Sequence, residues 1–96
     1  MRSTNELTLK EAILKLLKTY RLQDGINETK LINSWDKVVG KMITNHTEDV
    51  YIKNRKLFIK LDSPALKHEL SFAKKKLVKS LNNSVKQQVI EDIVFL

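Results

Sequence analysis

The sequence has no cysteine, one proline and two glycines, and its apolar runs are short, those such as Ile13-Leu14 and Leu16-Leu17 being broken by lysines. Without cysteine there is no disulfide framework and no thiolate nucleophile or metal ligand, a composition that fits a reducing cytosol. The apolar runs fall far short of the roughly 20 residues needed to span a bilayer. The lysine-punctuated N-terminus has no uninterrupted signal-peptide core, so no export and no membrane partner are expected. With glycine confined to Gly25 and Gly40, the glycine-rich loops that cradle dinucleotides or nucleoside phosphates are missing, as is the Gly-x-x-Gly loop that clamps a nucleic-acid backbone.

Acidic residues are scarce in one half only. Residues 1–49 carry eight Lys/Arg and seven Asp/Glu, whereas residues 50–96 carry ten and four, so six of the seven excess positive charges fall in the second half. A segregated positive charge suggests a surface that meets a polyanion. Catalytic and metal constellations are lacking. His46 and His68 have no second imidazole or thiolate at ligand spacing, and Ser63 has no histidine partner nearby. Adjacent Glu91 and Asp92 point to opposite faces of a strand and cannot act as an acid/base pair. A non-catalytic binding module without cofactor is therefore expected.

The 96 residues, 42% of them hydrophobic, suffice for one domain spanning residues 1–96 with a modest core. Thr8 and Glu11 form a capping box ahead of a stripe made by Leu9, Ala12, Ile13, Leu16, Leu17 and Tyr20, which predicts a first helix ending before Asp24-Gly25. A second helix is predicted from Asn27, with Leu31, Trp35, Val38, Val39, Met42 and Ile43 at three-and-four spacing. Trp35 reads as a core residue. From Glu48 the apolar period becomes two, and a two-residue turn at Asn54-Arg55 would pair Ile52 with Leu57, Val50 with Ile59, Tyr51 with Phe58 and Lys53 with Lys56. Arg55 is the weak point, because such turns want a positive φ there and glycine would fit better, so a longer loop is the alternative. Ser63-Pro64 starts a third helix running to about Leu81, with Leu66, Leu70, Ala73, Leu77 and Leu81 inward and Phe72, Lys75, Lys76 and Lys79 outward. Asn82-Asn83-Ser84 reads as a breaker, followed by a last strand from Val89 to Leu96. The expected class is α+β, in the order α-α-β-β-α-β, with a three-stranded sheet and helices mainly on one face. The last strand would be antiparallel beside the first strand or parallel beside the second.

The open sheet face would then hold Tyr51, Lys53, Lys56, Phe58 and Lys60. Facing aromatics rimmed by lysines suit a single-stranded nucleic acid: bases stack on the rings for about 1–3 kcal/mol each while ammonium groups follow the phosphates. The plain alternative is a cross-strand aromatic pair with solubilising lysines. Lys75, Lys76 and Lys79 add a second candidate patch on the third helix, although a lysine run is also an ordinary solvated face. Phe72, off the main stripe of the third helix, and Val94 and Leu96, in the apolar C-terminal strand, are candidate partner contacts.

Leu31-x-x-x-Trp35-x-x-Val38-Val39-Gly40, Leu57-x-Ile59-x-Leu61-Asp62-Ser63 with Leu66-x-x-Glu69-Leu70, Leu81-Asn82, and Val89-Ile90-x-Asp92-Ile93-x-Phe95 together resemble the small bacterial DciA-like proteins. The resemblance covers the chain from about Leu9 onward. It implies a KH-like domain, a role in operating or loading the replicative DNA helicase, and some affinity for DNA. Leu66 stands where that family often has tryptophan, Arg55 replaces a usual turn glycine, and the sequence stops at Leu96 without the basic tail of longer members. The matched positions are structural, so the resemblance supplies no contact residues.

The leading expectation is a cytoplasmic nucleic-acid-binding accessory protein acting at the replicative helicase, with DNA, preferably single-stranded, or RNA as its ligand. The alternative is a protein-interaction module that docks a partner or itself through the C-terminal strand and exposed aromatics. The oligomeric state is left open by the sequence.

Overall fold

A computed structural model describes the backbone of residues 2–96 and the side chains from Thr8 onward. Its elements are α1 (Arg2–Val39), α2 (Lys41–Asn45), β1 (Thr47–Lys53), β2 (Lys56–Leu61), α3 (Pro64–Ser71), α4 (Lys74–Val85) and β3 (Asp92–Phe95). The α+β class holds, but the order is α-α-β-β-α-α-β, with one helix more than the sequence pattern suggests.

The two expected N-terminal helices are one helix of 38 residues. Thr8 lies inside it, six residues past its start, and so is not an N-cap. Asp24-Gly25 does not break it, because a glycine within a helix costs only about 1 kcal/mol relative to alanine. Side chains brace that stretch: Gln23 Nε2 donates to Asn27 Oδ1 at 3.1 Å, and Thr29 Oγ1 donates to the Gly25 carbonyl at 2.9 Å. The break comes at Gly40, where φ is 85° and ψ 169°, a region essentially reserved for glycine. The chain then re-enters helix for the five residues of α2.

β1 and β2 form the expected hairpin, antiparallel and in the expected register, with Ile52 opposite Leu57, Val50 opposite Ile59, Tyr51 opposite Phe58 and Lys53 opposite Lys56. Asn54 and Arg55 have φ of 52° and 62°, the two successive positive values of a type I′ turn, whose twist suits the flanking strands. Arg55 adopts this conformation without being glycine because it is tied across the fold. Its backbone carbonyl accepts from Glu91 N at 2.7 Å, its Nε donates to Glu91 Oε1 at 3.0 Å and its terminal nitrogen donates to the Gln88 carbonyl at 3.1 Å.

Ser63 caps α3 by accepting from Leu66 N at 3.3 Å, with Pro64 opening the helix. The expected single helix from Pro64 to Leu81 is divided at Phe72-Ala73 and extends to Val85. Phe72 N and Ala73 N reach back only three residues, to Glu69 and Leu70, a tightening that ends one helix and reorients the next. β3 then lies parallel to β2, giving the sheet order β1-β2-β3. It begins at Asp92 rather than Val89, because residues 89 and 90 are bound to a side chain instead of a strand. Asn82, 5% exposed, accepts from Val89 N and Ile90 N at 3.0 and 3.1 Å and donates to the Ile90 carbonyl at 2.9 Å. Asn82 therefore anchors the connection inside α4 instead of breaking the helix.

Leu57, Ile59, Leu61, Ile93 and Phe95 present one sheet face to Leu31 and Trp35 of α1, Leu70 of α3 and Leu81 of α4. Trp35 is 2% exposed, and its Nε1 donates to Thr47 Oγ1 at 3.2 Å, whose own hydroxyl donates to the Ile43 carbonyl at 2.8 Å. The indole is thus buried with its polar handle satisfied.

Candidate nucleic-acid interface

Strand alternation puts every second residue of the sheet on the face away from the helices. The hairpin register and the parallel pairing of β2 with β3 arrange that face in three rows. Tyr51, Phe58 and Val94 form the middle row. Lys53, Lys56 and Asp92 lie along one side, and Asp49 and Lys60 along the other. The rings of Tyr51 and Phe58 stack with centroids 4.9 Å apart and planes 8° from parallel. Tyr51 is 39% exposed and Phe58 half-buried, so the pair shows solvent mainly the tyrosine.

The charge of this face is not purely positive. Lys60 Nζ lies 3.5 Å from Glu48 Oε2, Asp49 sits opposite Lys60, and Asp92 neighbours Lys56. Three lysines thus share the face and its margin with three carboxylates. Asp49 shares the face of Tyr51 and Lys53 by simple alternation and was legible in the sequence, whereas only the assembled sheet places Asp92 next to Lys56. Lys53 and Lys56, opposite each other beside the turn, form the most positive corner.

The second group of lysines lies elsewhere. Leu81 packs α4 against the helix-covered side of the sheet, and Lys75, Lys76 and Lys79 are exposed on the outward side of α4. They are therefore separated from Lys53, Lys56 and Lys60 by the thickness of the domain, and the structure does not bring the two groups together. Lys74, by contrast, reaches to 6.0 Å over the Phe95 ring, a cation–π distance.

Among the residues singled out as partner contacts, Phe72 is 77% exposed at the corner between α3 and α4 and meets the His68 ring edge-on at 5.0 Å. Val94 is half-buried within the middle row, while Leu96 is 45% exposed and extends the pairing beyond β3, its N–H donating to the Ile59 carbonyl at 2.8 Å. His46 Nδ1 lies 2.7 Å from Asp62 Oδ1, which closes the α2 corner onto the end of β2. Among the described residues no cluster of three or more histidine, aspartate or glutamate side chains could hold a metal ion, and no described helix is long and apolar enough to cross a membrane.

A larger apolar surface than any marked in the strands lies on α1. Leu9, Ile13, Leu16, Leu17 and Tyr20 are each about half exposed or more. They continue toward the N-terminus the stripe that buries Leu31 and Trp35 farther along. The stripe itself is legible in the sequence, but its exposure is not, since the amphipathic pattern of a helix does not reveal whether another element covers it.

A three-stranded mixed sheet covered by helices on one face, with an aromatic and charged surface left open on the other, is a small α+β architecture. Residues 8–95 match the model of the DciA family, described as Dna[CI] antecedent. The chain belongs to this bacterial family, whose proteins are non-catalytic. A search of curated proteins finds no match to the chain.

Proposed function

We propose that the protein is a cytoplasmic, nucleic-acid-binding accessory of the bacterial replicative DNA helicase, acting in its loading or operation, and that its sheet and helices form a KH-like domain with one added helix. The observation that carries this reading is the family match across residues 8–95. The ten basic against four acidic residues of the second half support the nucleic-acid part. On the open sheet face, Tyr51 is the exposed ring on which a base would stack, with Phe58 behind it and Lys53, Lys56 and Lys60 available to phosphates. Lys75, Lys76 and Lys79 would meet the nucleic acid only along a path that passes round to the helical side.

Fluorescence anisotropy on labelled single-stranded DNA, duplex DNA and RNA of matched length, across a salt series, tests this. The expected outcome is tightest binding to single strands, falling steeply as salt rises. Replacing Lys53 and Lys56 by glutamine is expected to weaken binding without lowering the melting temperature. Unchanged affinity in that folded variant would remove the sheet face from the interface.

The exposed stripe of α1 favours a second reading, a protein-docking module. By helical spacing Lys10 and Arg21 flank the stripe, so the occupant we propose is a partner protein with an apolar groove rimmed by carboxylates, in the helix-in-groove mode. The replicative helicase is the first candidate. Substituting aspartate for Ile13 and Leu16 is expected to abolish co-elution with purified helicase while DNA affinity stays the same. Self-association of the wild type that the variant loses would instead make a second copy the occupant, and retained co-elution would exclude the stripe.

A further inference from the structure

A basic concavity lies away from the sheet, where α1 and the end of α4 meet. It has a volume of about 410 Å³ and is lined by Lys30, Asn33, Ser34 and Lys37 from α1 and by Ser84, Val85 and Lys86 from α4 and its cap. No carboxylate lines it. This contrasts with the open sheet face, where Glu48, Asp49 and Asp92 offset the lysines.

Sequence and packing explain the shape. Ser84 Oγ lies 2.8 Å from Ser34 Oγ, so two small hydroxyl residues let the helices approach closely at the floor. The Ser34 hydroxyl is also within 2.8 Å of the Leu31 carbonyl, which fixes the floor to the backbone of α1. Lys30 and Lys37 are seven residues apart, two turns along one face of α1, and flank the floor from that side. Lys86 flanks it from the other. It is a non-glycine residue at φ 55° and ψ 33°, the left-handed cap of α4, and its N–H and that of Gln87 return to the Asn83 and Asn82 carbonyls. Those bonds satisfy carbonyls that would otherwise face an incoming anion. Lys76 and Ser80 precede Ser84 by two turns and one turn on the same ridge of α4, so the positive edge continues past the groove.

We propose that the groove between α1 and α4 is a phosphate-binding cleft for the sugar–phosphate backbone of a nucleic acid, with Lys30, Lys37 and Lys86 as its cations and the Asn33 amide as a further donor. This deepens the nucleic-acid part of the proposed function and rests on it. Lysines near helix C-termini also complement the helix dipole, and that role alone would not draw them round a carboxylate-free concavity between two helices. Backbone contacts here would carry no sequence preference. They would hold the strand on the helical side, where Lys76 and Lys79 also lie.

The test is anisotropy of fluorescein-labelled oligo-deoxythymidine with the full chain. One variant changes Lys30, Lys37 and Lys86 to glutamine, a second changes them to arginine, and a third carries glutamine at Lys53 and Lys56. The glutamine groove variant is expected to bind at least tenfold more weakly and to show a shallower salt dependence, by about 0.7 in log–log slope for each phosphate no longer neutralised. The arginine variant should retain affinity. Circular dichroism melting verifies that each variant is folded. Affinity and slope unchanged in the folded glutamine groove variant would overturn the cleft, and if the sheet-face variant alone lost binding, the nucleic-acid reading would survive without it. Failure of the wild type to bind at low salt would sink the nucleic-acid reading itself, and the cleft with it.

Discussion

Asn82 and Arg55 both hold the segment between α4 and β3, which has almost no regular structure of its own. Asn82 is buried and satisfies three backbone groups of Val89 and Ile90. Replacing it by alanine would leave those groups unpaired in the core, at about 1–3 kcal/mol for a buried unsatisfied group. Asn82→Ala is therefore expected to lower stability by about 3 kcal/mol in urea unfolding followed by the fluorescence of buried Trp35. Arg55 holds the same segment from the hairpin side. Both Arg55→Ala and Arg55→Gly remove the ion pair with Glu91, an exposed pair of small worth. Only alanine keeps a Cβ in the left-handed region. The alanine variant should accordingly be less stable than the glycine variant by about 1 kcal/mol, a difference that isolates the turn.

At the scale of the element, α1 joins two unlike halves in one continuous helix. Leu31 and Trp35 are buried, while the described residues from Thr8 to Ile26 are exposed. Deleting residues 1–21 removes no core side chain among the described residues and should change domain stability by about 0.5 kcal/mol or less. Amide exchange should show the same division, with protection near the global value at Leu31 to Val39 and little protection from Leu9 to Tyr20. The end of the helix is far less tolerant. Gly40 has φ of 85° with open space around it, so Gly40→Ala costs backbone strain rather than a clash, about 1–3 kcal/mol by thermal or urea unfolding.

At the scale of the whole molecule, charge and shape are separated. The molecule extends 66 Å in its longest direction and about 20 Å in the others because α1 alone is about 57 Å long at 1.5 Å per residue. Nucleic-acid candidates lie on the domain, on the sheet face and in the α1–α4 groove, while the apolar stripe lies on the projecting half of α1. The two kinds of surface can therefore be occupied together. The expected outcome is a ternary complex: DNA anisotropy that rises further when helicase is added to the wild type, but not when it is added to the Ile13 and Leu16 double aspartate variant.

Much of the fold was legible in the sequence because it rests on local physics. The hairpin register follows from alternation on both sides of a two-residue turn, and a one-residue slip would have turned Leu57 and Ile59 out to solvent. Ser63-Pro64 marks a helix start by chemistry that needs no distant partner. The sequence likewise sets the core faces of β2 and of the second half of α1, the excess of positive charge after Asp49, and the family, through positions that are mostly core. Tertiary structure decided the rest. Whether Gly25 ends a helix depends on a margin of about 1 kcal/mol, too small to read from one residue. The role of Asn82 depends on groups seven and eight residues away, and the division at Phe72-Ala73 on how α3 and α4 each meet the sheet. The candidate site was legible as residue types but not as surfaces. Only the assembled sheet sets Asp92 beside Lys56, and only the packing of α4 on α1 brings Lys30, Lys37 and Lys86 around one groove, because charges far apart in sequence become neighbours only through the folded chain.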